Sequence, residues 1–290
     1  MKYTLPKIRG TYHENASLAP LTNFKVGGPA EILFTPADSD DLITFLRERD
    51  EKIPLTILGM GSNLIISDKG LSGVVIKITT PTLAHISTHD NIITVEAGCS
   101  DATIAHFALN HNLTGFEFLA SIPGSIGGGI KTNAGCYGTD ISQILRTLTF
   151  TDLRGKVQTI NNSECEFAYR TSQFNYRNDY IFLEAELEGT PANKEAISAK
   201  MEEYKQRRRD SQPIGIHTFG STFKNPEGHS SWKLIKESGA DKLRVGDIHM
   251  SEKHANFMQN DGNGTAADAI ELIRQIQERV REKTGIELVP

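Results

Sequence analysis

The glycines constrain this chain more than any other residue type, through where they stand rather than how many there are. Of 290 residues 25 are glycine, gathered at Gly27-Gly28, Gly59-Met60-Gly61, Gly124 to Gly129 and Gly135 to Gly138. The densest stretch reads Ser121-Ile-Pro-Gly-Ser-Ile-Gly-Gly-Gly-Ile-Lys-Thr-Asn-Ala-Gly-Cys-Tyr-Gly138. Four glycines in six positions, Gly124, Gly127, Gly128 and Gly129, remove side chains and let consecutive backbone N–H groups face a ligand. Such a nest suits a pyrophosphate without needing a lysine. Neither GxGxxG opening a helix nor GxxxxGK followed by Ser or Thr occurs, so Rossmann and P-loop readings fail. The alternative for this stretch alone is a glycine-rich turn chain between strands. A second cluster, Gly59-Met-Gly-Ser-Asn63, follows the apolar run Leu55–Leu58 and adds backbone donors beside Ser62 and Asn63. A tight turn after a strand needs glycine in any case. Two such loops together favour one large diphosphate ligand.

Around these loops the first two-thirds of the chain alternates strand-like and helix-like pieces. Glu31–Thr35, Leu55–Leu58, Gly73–Ile78 and Ile92–Glu96, rich in Ile, Val and Thr, predict strands. Ser39–Arg49 predicts a helix with Leu42, Phe45 and Leu46 on one face. Ser100–Asn110 predicts another, capped by Ser100 or Asp101, with Ile104, Phe107 and Ala108 inward. Leu145–Thr151 and Val157–Ile160 flank Asp152-Leu-Arg-Gly155 as a hairpin, and Asp179–Leu187 follows as a further strand. Gly189-Thr190-Pro191 reads as a boundary, with Thr190 capping and Pro191 opening a helix that runs to about Arg209. A last helix over Thr265–Lys283 opens on Thr265-x-x-Asp268, like a capping box. It carries Ile270, Ile273, Ile276 and Val280 on one stripe and stops before Gly285. No repeat of fixed period is visible, which excludes solenoids and propellers.

Composition narrows the class. The length predicts about two domains. Charged residues at 23% and hydrophobics at 38% fit an ordinary globular protein and exclude collagen-like and disordered chains. No apolar run approaches ~18 residues, and the opening MKYTLPKIRGTYHEN lacks the apolar core of a secretory signal. Lys and Arg number 31 against 36 Asp and Glu, a net charge of −5, so neither a nucleic-acid nor a membrane partner is expected. Three scattered cysteines, Cys99, Cys136 and Cys165, suit a reducing cytoplasm and inert thiols better than disulfides or a zinc site.

Three further clusters could carry chemistry. In Phe167-Ala-Tyr-Arg170-Thr-Ser-Gln-Phe174, Arg170 offers a planar fork to a carboxylate; its bland alternative is a surface arginine. Phe219-Gly-Ser221-Thr-Phe-Lys224-Asn225-Pro226 has no GxSxG context, which argues against a hydrolase nucleophile and leaves a turn serine as the alternative. Ser251-Glu-Lys253-His-Ala-Asn-Phe257 reads, by itself, as a polar helix start.

Taken together and in this order, these clusters resemble the UDP-N-acetylenolpyruvoylglucosamine reductase family, in its shorter form. The resemblance runs from Thr22-Asn-Phe-Lys-Val-Gly-Gly-Pro29 to Pro290, through GxGSN, IPGSxGG, NAGCYG, YRxSxF, GSxFKNP, SEKHANF and NGTAADAI. It implies an α+β fold: a two-lobed FAD-binding domain of the vanillyl-alcohol-oxidase type over 1–189, with lobes of about 1–80 and 81–189, then a substrate-binding α+β domain over 190–290. It implies non-covalent FAD, with NADPH as hydride donor. The FAD contacts would be Gly59, Gly61, Ser62, Asn63, Leu64, Ile122, Pro123, Gly124, Ser125, Gly127, Gly128, Asn133 and Gly135, joined by Arg207 and Arg208. Arg170 would hold the substrate carboxylate and Ser221 would protonate C2, with Lys224, Asn225 and Lys253 binding the UDP-sugar. The implied setting is cytoplasmic synthesis of peptidoglycan precursors, with small-molecule partners and no metal. Two departures accompany it. The family pattern continues Leu-x-Pro with a Glu that assists protonation, whereas the sequence given stops at Pro290; either it is cut short or the acid is supplied otherwise, and Glu287 would share the face of the missing position if this end is a strand. Ser211 stands where the family often has lysine, so Arg207–Arg209 or Lys224 would supply that charge. A flavin oxidase of the same fold and a non-catalytic flavin or nucleotide binder are the rival readings; many such oxidases tether FAD through histidine, and neither glycine loop contains one.

Overall fold

Two separate apolar cores organise the chain, and each follows from the side-chain patterns around it. The computed structural model describes residues 3–290. In chain order the elements are β1 (Thr11–Ser17), β2 (Pro29–Thr35), α1 (Ser39–Glu48), β3 (Leu55–Leu58), β4 (Leu71–Lys77), β5 (Ile86–His89), β6 (Ile92–Glu96), α2 (Asp101–Asn110), β7 (Leu113–Thr114) and α3 (Ile126–Thr132). They continue with β8 (Gly135–Cys136), β9 (Thr139–Asp140), β10 (Leu145–Asp152), β11 (Val157–Asn161), β12 (Tyr180–Glu188), β13 (Thr190–Pro191), α4 (Lys194–Ser211), α5 (Ser231–Glu237), β14 (Arg244–Val245), β15 (Ile248–Met250), β16 (Met258–Asn260) and α6 (Ala266–Thr284).

One compact unit is drawn from residues up to Glu14, from Glu31–Met60 and from Ser72–Arg207. It contains most of a four-stranded sheet of order β1-β2-β4-β3 and a five-stranded sheet of order β11-β10-β12-β6-β5. Strands β3 and β4 run parallel, with Leu55 opposite Val74, so the connection between them must cross over. The expected hairpin is present: β10 and β11 pair antiparallel from Thr147 opposite Asn161 to Thr151 opposite Val157. Helix α1 lies on its sheet through Leu42, Phe45 and Leu46, all buried, and Asp38 caps it by accepting the Asp41 N–H at 2.9 Å. Phe45, fully buried, meets the Phe34 ring at a centroid distance of 4.6 Å, and Tyr12 packs on Phe34 at 5.3 Å.

The second unit comprises Asn15–Ala30, Gly61–Leu71 and Arg208–Pro290. Its antiparallel sheet, of order β14-β15-β16, turns Ile248, Met250 and Met258 into a core shared with α5, α6, Phe24 and Phe223. The segment around Phe24 belongs here: its ring stands edge-on to Phe219 at 4.8 Å, and its carbonyl accepts from the buried Asn260 side chain at 3.0 Å. Helix α6 opens with the expected capping box, Thr265 and Asp268 satisfying each other's backbone N–H. Asp68 reinforces it, its carboxylate accepting the Ala266 and Ala267 N–H groups at 2.8 and 2.9 Å.

Three local expectations are corrected. Thr190-Pro191 does not cap and open the helix: β13 pairs with β7, and a side chain on Gly189 would strike the Phe116 ring at 2.5 Å. The helix cap passes instead to Asn193, whose side chain accepts the Ala196 N–H at 3.1 Å. On α6 the buried stripe is Ala266, Ala269, Leu272, Ile276 and Val280, while Ile270 is 60% exposed. The two alanines let that face sit close to the sheet, which a stripe beginning at Ile270 could not do. Finally, Ser251–Phe257 is an irregular connection between β15 and β16 rather than a helix start. The compact units also divide the chain differently from a cut at Gly189, since 15–30 and 61–71 pack with the C-terminal residues and α4 is counted with the first unit as far as Arg207.

Replacing Phe45 by Ala should lower unfolding free energy by about 3–5 kcal/mol, the usual cost of emptying a buried aromatic site. Denaturant unfolding followed by circular dichroism measures it; a loss below about 1 kcal/mol would show that α1 is not sealed against its sheet.

Candidate functional site

In the first unit the glycine-rich stretch folds as α3, so the expected row of free N–H donors is only partly realised. Ile126 donates to the Cys99 carbonyl, Gly127 to Ala97 and Gly129 to Ser125, each at 3.0 Å. Each glycine has its own reason. A Cβ on Gly127 would lie 3.0 Å from the Ala97 carbonyl, and one on Gly129 would strike Ile141 at 2.5 Å. Gly128 is different: it is exposed, and its Cβ would meet nothing nearer than the Ser125 hydroxyl at 3.8 Å. Ser125 stands at the N-cap but makes no cap hydrogen bond, and its buried Oγ has no partner among the described residues. Gly59, from the other glycine loop, comes so close that a Cβ there would be 3.1 Å from the same Oγ. Gly59, Ser125 and Gly128 therefore frame one polar, side-chain-free recess. Ile122, Pro123 and Gly124 precede Ser125 along the chain.

Behind the recess, Asp101 begins α2. It is 1% exposed, its Oδ1 is unpartnered, and burial pushes its carboxyl up to about 7. The thiols of Cys99 and Cys165 are pushed up to about 11, chiefly by burial, so both are inert at neutral pH.

Arg170 is tied to the end of α3. Its guanidinium donates to the carbonyls of Asn133 at 3.4 Å and Gly135 at 2.5 Å, and its backbone is left-handed with φ 54°. Asn133 is 2% exposed, also left-handed, and fully engaged: it donates to the Ala168 carbonyl at 3.1 Å and accepts the Ser142 N–H at 3.0 Å. Arg207 lies over the Tyr137 ring at 4.6 Å, and Tyr137 in turn stacks on Tyr204 at 4.6 Å.

The second unit holds the remaining candidates. Gly61 has φ +64°, and a Cβ there would be 2.2 Å from the Leu21 carbonyl, so glycine is required for packing. Ser62 is half-buried, while Asn63 and Leu64 are exposed. Ser221 is exposed and bridged to Phe257, next to a backbone that Asn256 fixes. Asn256, 3% exposed, accepts the Phe223 N–H at 3.0 Å and donates to the Phe223 carbonyl at 2.8 Å, while its own carbonyl takes the Thr222 N–H at 2.7 Å. Asn225 accepts the Ser231 N–H at 3.0 Å, and the Lys224 carbonyl accepts from the Ser231 hydroxyl at 2.5 Å. Lys253 donates to the Arg209 carbonyl. Nearby is a cavity of about 700 Å³ whose walls include Arg209, Pro213, Ile214, Arg244, His249 and Lys253. Within it the Arg244 guanidinium, and after it His249, hold the Asp261 carboxyl down at about 2. Arg208 is counted with this unit.

The first unit thus gathers Gly59, Ile122–Gly128, Asn133, Gly135, Arg170 and Arg207, and the second Gly61–Leu64, Arg208, Ser221, Lys224, Asn225 and Lys253. Sequence reading missed Asn256 and Asp101. Asn256 lies in a segment without periodicity, and Asp101 looks like an ordinary first-turn acid, so neither pattern betrays the burial. Among the described residues no group of three His, Cys, Asp or Glu could hold a metal, and no helix is long and apolar enough to cross a membrane.

Comparison with known proteins supplies the context. Residues 30–161 match the family described as FAD binding domain, and residues 212–290 that described as UDP-N-acetylenolpyruvoylglucosamine reductase, C-terminal domain. A protein of Bradyrhizobium sp. (strain ORS 278) named UDP-N-acetylenolpyruvoylglucosamine reductase is 43% identical over 99% of this chain and 93% of its own length. One of the same name from Rickettsia bellii (strain RML369-C) is 43% identical over 98% and 93%. The crystal structure of UDP-N-acetylenolpyruvylglucosamine reductase from Thermus caldophilus superposes with a TM-score of 0.79 at 31% identity, covering 97% of this chain and 98% of that one. These matches bear out the α+β class, with an FAD-binding domain followed by the C-terminal domain of that family. The recess fits FAD on its own terms, since it offers an orphaned buried hydroxyl in a cradle that side chains at Gly59 or Gly128 would fill.

Two outcomes follow from this geometry. Gly128→Val should leave a folded protein that purifies without flavin, because the side chain enters only the open recess, whereas Gly127→Val should unfold the site against Ala97; a yellow Gly128→Val protein of normal flavin content counts against the recess. The second concerns Asp101, whose carboxyl is pushed up to about 7 in the folded chain from an ordinary 3.8. A raised carboxyl weakens the fold as pH rises from the unfolded value through the folded one. Asp101→Asn should therefore match the parent near pH 4 and exceed it near pH 8 by up to about 4 kcal/mol, read as the difference between two denaturation series. A constant difference across that range would mean that Asp101 is solvated.

Proposed function

Because this chain belongs to the UDP-N-acetylenolpyruvoylglucosamine reductase family, we propose that it uses NADPH to reduce UDP-N-acetylenolpyruvoylglucosamine to UDP-N-acetylmuramate, in the cytoplasm, for peptidoglycan precursors. The observation that carries the reading is Arg170, a fork of donors hydrogen-bonded to the carbonyls that end the glycine-rich helix. That ties a carboxylate-binding group to the C-terminal end of the helix whose N-terminal end borders the recess that fits FAD. When bound, FAD would supply the hydride chemistry that links NADPH to C3 of the enol ether.

The chain's own residues do the rest. Gly59, Gly61, Ser62, Asn63 and Leu64 hold the cofactor from one loop, and Ile122, Pro123, Gly124, Ser125, Gly127, Gly128, Asn133 and Gly135 from the other, with Arg207 and Arg208 adding charge. On this reading residues 1–189 serve the cofactor and 190–290 the nucleotide sugar, a division by role. Arg170 grips the substrate carboxylate and spreads the negative charge that develops next to it, a preorganised electrostatic effect. Ser221 hands its hydroxyl proton to C2, so that hydride at C3 and proton at C2 saturate the double bond. A serine is a weak acid, and it can act here only toward a strongly basic carbon in a site closed to water. Ser221 is exposed, which leaves it accessible to a substrate. Lys224, Asn225 and Lys253 bind the nucleotide sugar, beside a cavity whose walls carry Arg209, Arg244 and Lys253 together with Glu252 and Asp261, the last paired with Arg244.

Replacing Ser221 by Ala should leave the bleaching of the flavin band by NADPH at the parent rate. Its recovery on adding UDP-N-acetylenolpyruvoylglucosamine should slow by roughly 10²–10⁴-fold, the usual cost of losing a general acid. Ser221→Cys should recover part of the loss. Stopped-flow absorbance separates the two halves, and recovery at the parent rate in the Ala variant would return Ser221 to the status of a turn serine.

A further inference from the structure

Lys131 sits in the last turn of α3, where a lysine usually serves the helix's own C-terminal carbonyls. Here its ammonium reaches much farther along the chain, donating to the Arg177 carbonyl at 2.9 Å and to the Asn178 Oδ1 at 3.1 Å. The stem is half-buried, and that burial depresses the ammonium below its ordinary range, so the contact is made at a desolvation cost that a casual surface pair does not carry.

The segment that Lys131 grips, Ala168 to Asn178, is the one that carries Arg170. It is laced to α3 at several points. The Ser172 hydroxyl donates to the Lys131 carbonyl at 2.7 Å, the Asn133 side chain donates to the Ala168 carbonyl at 3.1 Å, and Arg170 itself donates to the carbonyls of Asn133 and Gly135. Arg170 holds a left-handed backbone, φ 54°, which a side chain of that size keeps only when its neighbours over-determine it. The ties at Ala168 and Ser172 lie close on either side. The far end of the segment lacks that security from burial, since Tyr176 is 83% exposed. There Arg177 pairs with Asp179 at 2.7 and 3.1 Å and lies over the Tyr180 ring at 4.4 Å, and the ammonium of Lys131 adds the tie that joins this end to α3.

We infer that Lys131 is a positioning residue that fixes the Arg177-Asn178 end of this segment to the glycine-rich helix and so keeps the Arg170 guanidinium set for a carboxylate. The proposal rests on the functional reading given above for Arg170. It assigns Lys131 no contact with substrate or cofactor, only the task of keeping the carboxylate fork in register with the flavin recess.

The experiment uses the flavin-loaded full chain and reads equilibrium binding by calorimetry rather than turnover. UDP-N-acetylenolpyruvoylglucosamine is compared with UDP-N-acetylglucosamine, which lacks the enolpyruvyl carboxylate. Lys131→Met, which keeps the apolar stem, should weaken the first by roughly 10-fold, in line with losing a residue that supports a binding group, and the second by less than about 2-fold. Lys131→Arg should restore most of the loss. In an Arg170→Ala background, Lys131→Met should cost nothing further, because the two changes act through one group. Brief trypsin treatment should also cut after Arg177 faster in Lys131→Met than in the parent, since that carbonyl has lost its donor. An equal loss for both nucleotides, an additive double variant or unchanged cleavage after Arg177 each overturns the proposal. A parent chain that binds neither nucleotide sinks the functional reading itself, and the proposal with it, an outcome seen in the parent rather than in the variant.

Discussion

One buried carboxamide organises the first unit's site. Asn133 ends α3 in a left-handed conformation, 2% exposed, with both halves of its side chain committed. Nδ2 reaches the Ala168 carbonyl and Oδ1 takes the Ser142 N–H, while its own backbone carbonyl receives Arg170. Helix α3, the segment from Ala168 and the turn after β9 are therefore pinned to each other by a single residue. A buried polar group of this kind is costly unless every atom is satisfied, and here every satisfied atom doubles as a geometric constraint. The position of the Arg170 fork is a consequence of where Asn133 sits.

The glycines around that residue illustrate how one composition can serve several physical ends. Gly127 and Gly129 are small because Ala97 and Ile141 occupy the space a Cβ would need. Gly61 is small because Leu21 does. Only Gly59 and Gly128 border open, polar space near the unpartnered Ser125 hydroxyl. The sequence presents the same letter in all five places. Close packing of α3 against its neighbours and room for a ligand are separate requirements, and three-dimensional contact alone tells them apart.

What was legible in the sequence was whatever depends on near neighbours along the chain. Leu55–Leu58 and Ile92–Glu96 are strands with the expected ends, β10 and β11 form the expected hairpin, and Thr265 with Asp268 caps α6 as the local pattern requires. The features that escaped depend on distant residues. Thr190-Pro191 has the chemistry of a helix start, yet Leu113-Thr114 is available as a strand partner, and Asn193 then takes over the cap. Ile270 has the chemistry of a core residue, yet the α6 face bearing Ala266 and Ala269 can come closer to the sheet. The order of motifs along the chain carried the family; the contacts of Asn256, Lys131 and Asp101 had no local signature to carry them.

In the second unit the same logic governs Ser221. By itself the segment Gly220-Ser221-Thr222 is a turn, and Gly220 has the left-handed φ of +89° that such a turn uses. The segment from Ser251 to Phe257 meets this turn, with Ser221 bridged to Phe257. Asn256 holds Phe223 from both sides and takes the Thr222 N–H, while Ser221 itself bridges to Phe257. Three hydrogen bonds thus fix the backbone on the C-terminal side of Ser221. A weak acid gains from this more than a strong one would. In the role proposed for Ser221, proton transfer would need acceptor and hydroxyl at hydrogen-bonding distance in one orientation, and a backbone already fixed beside the serine would reduce the ordering which that meeting requires.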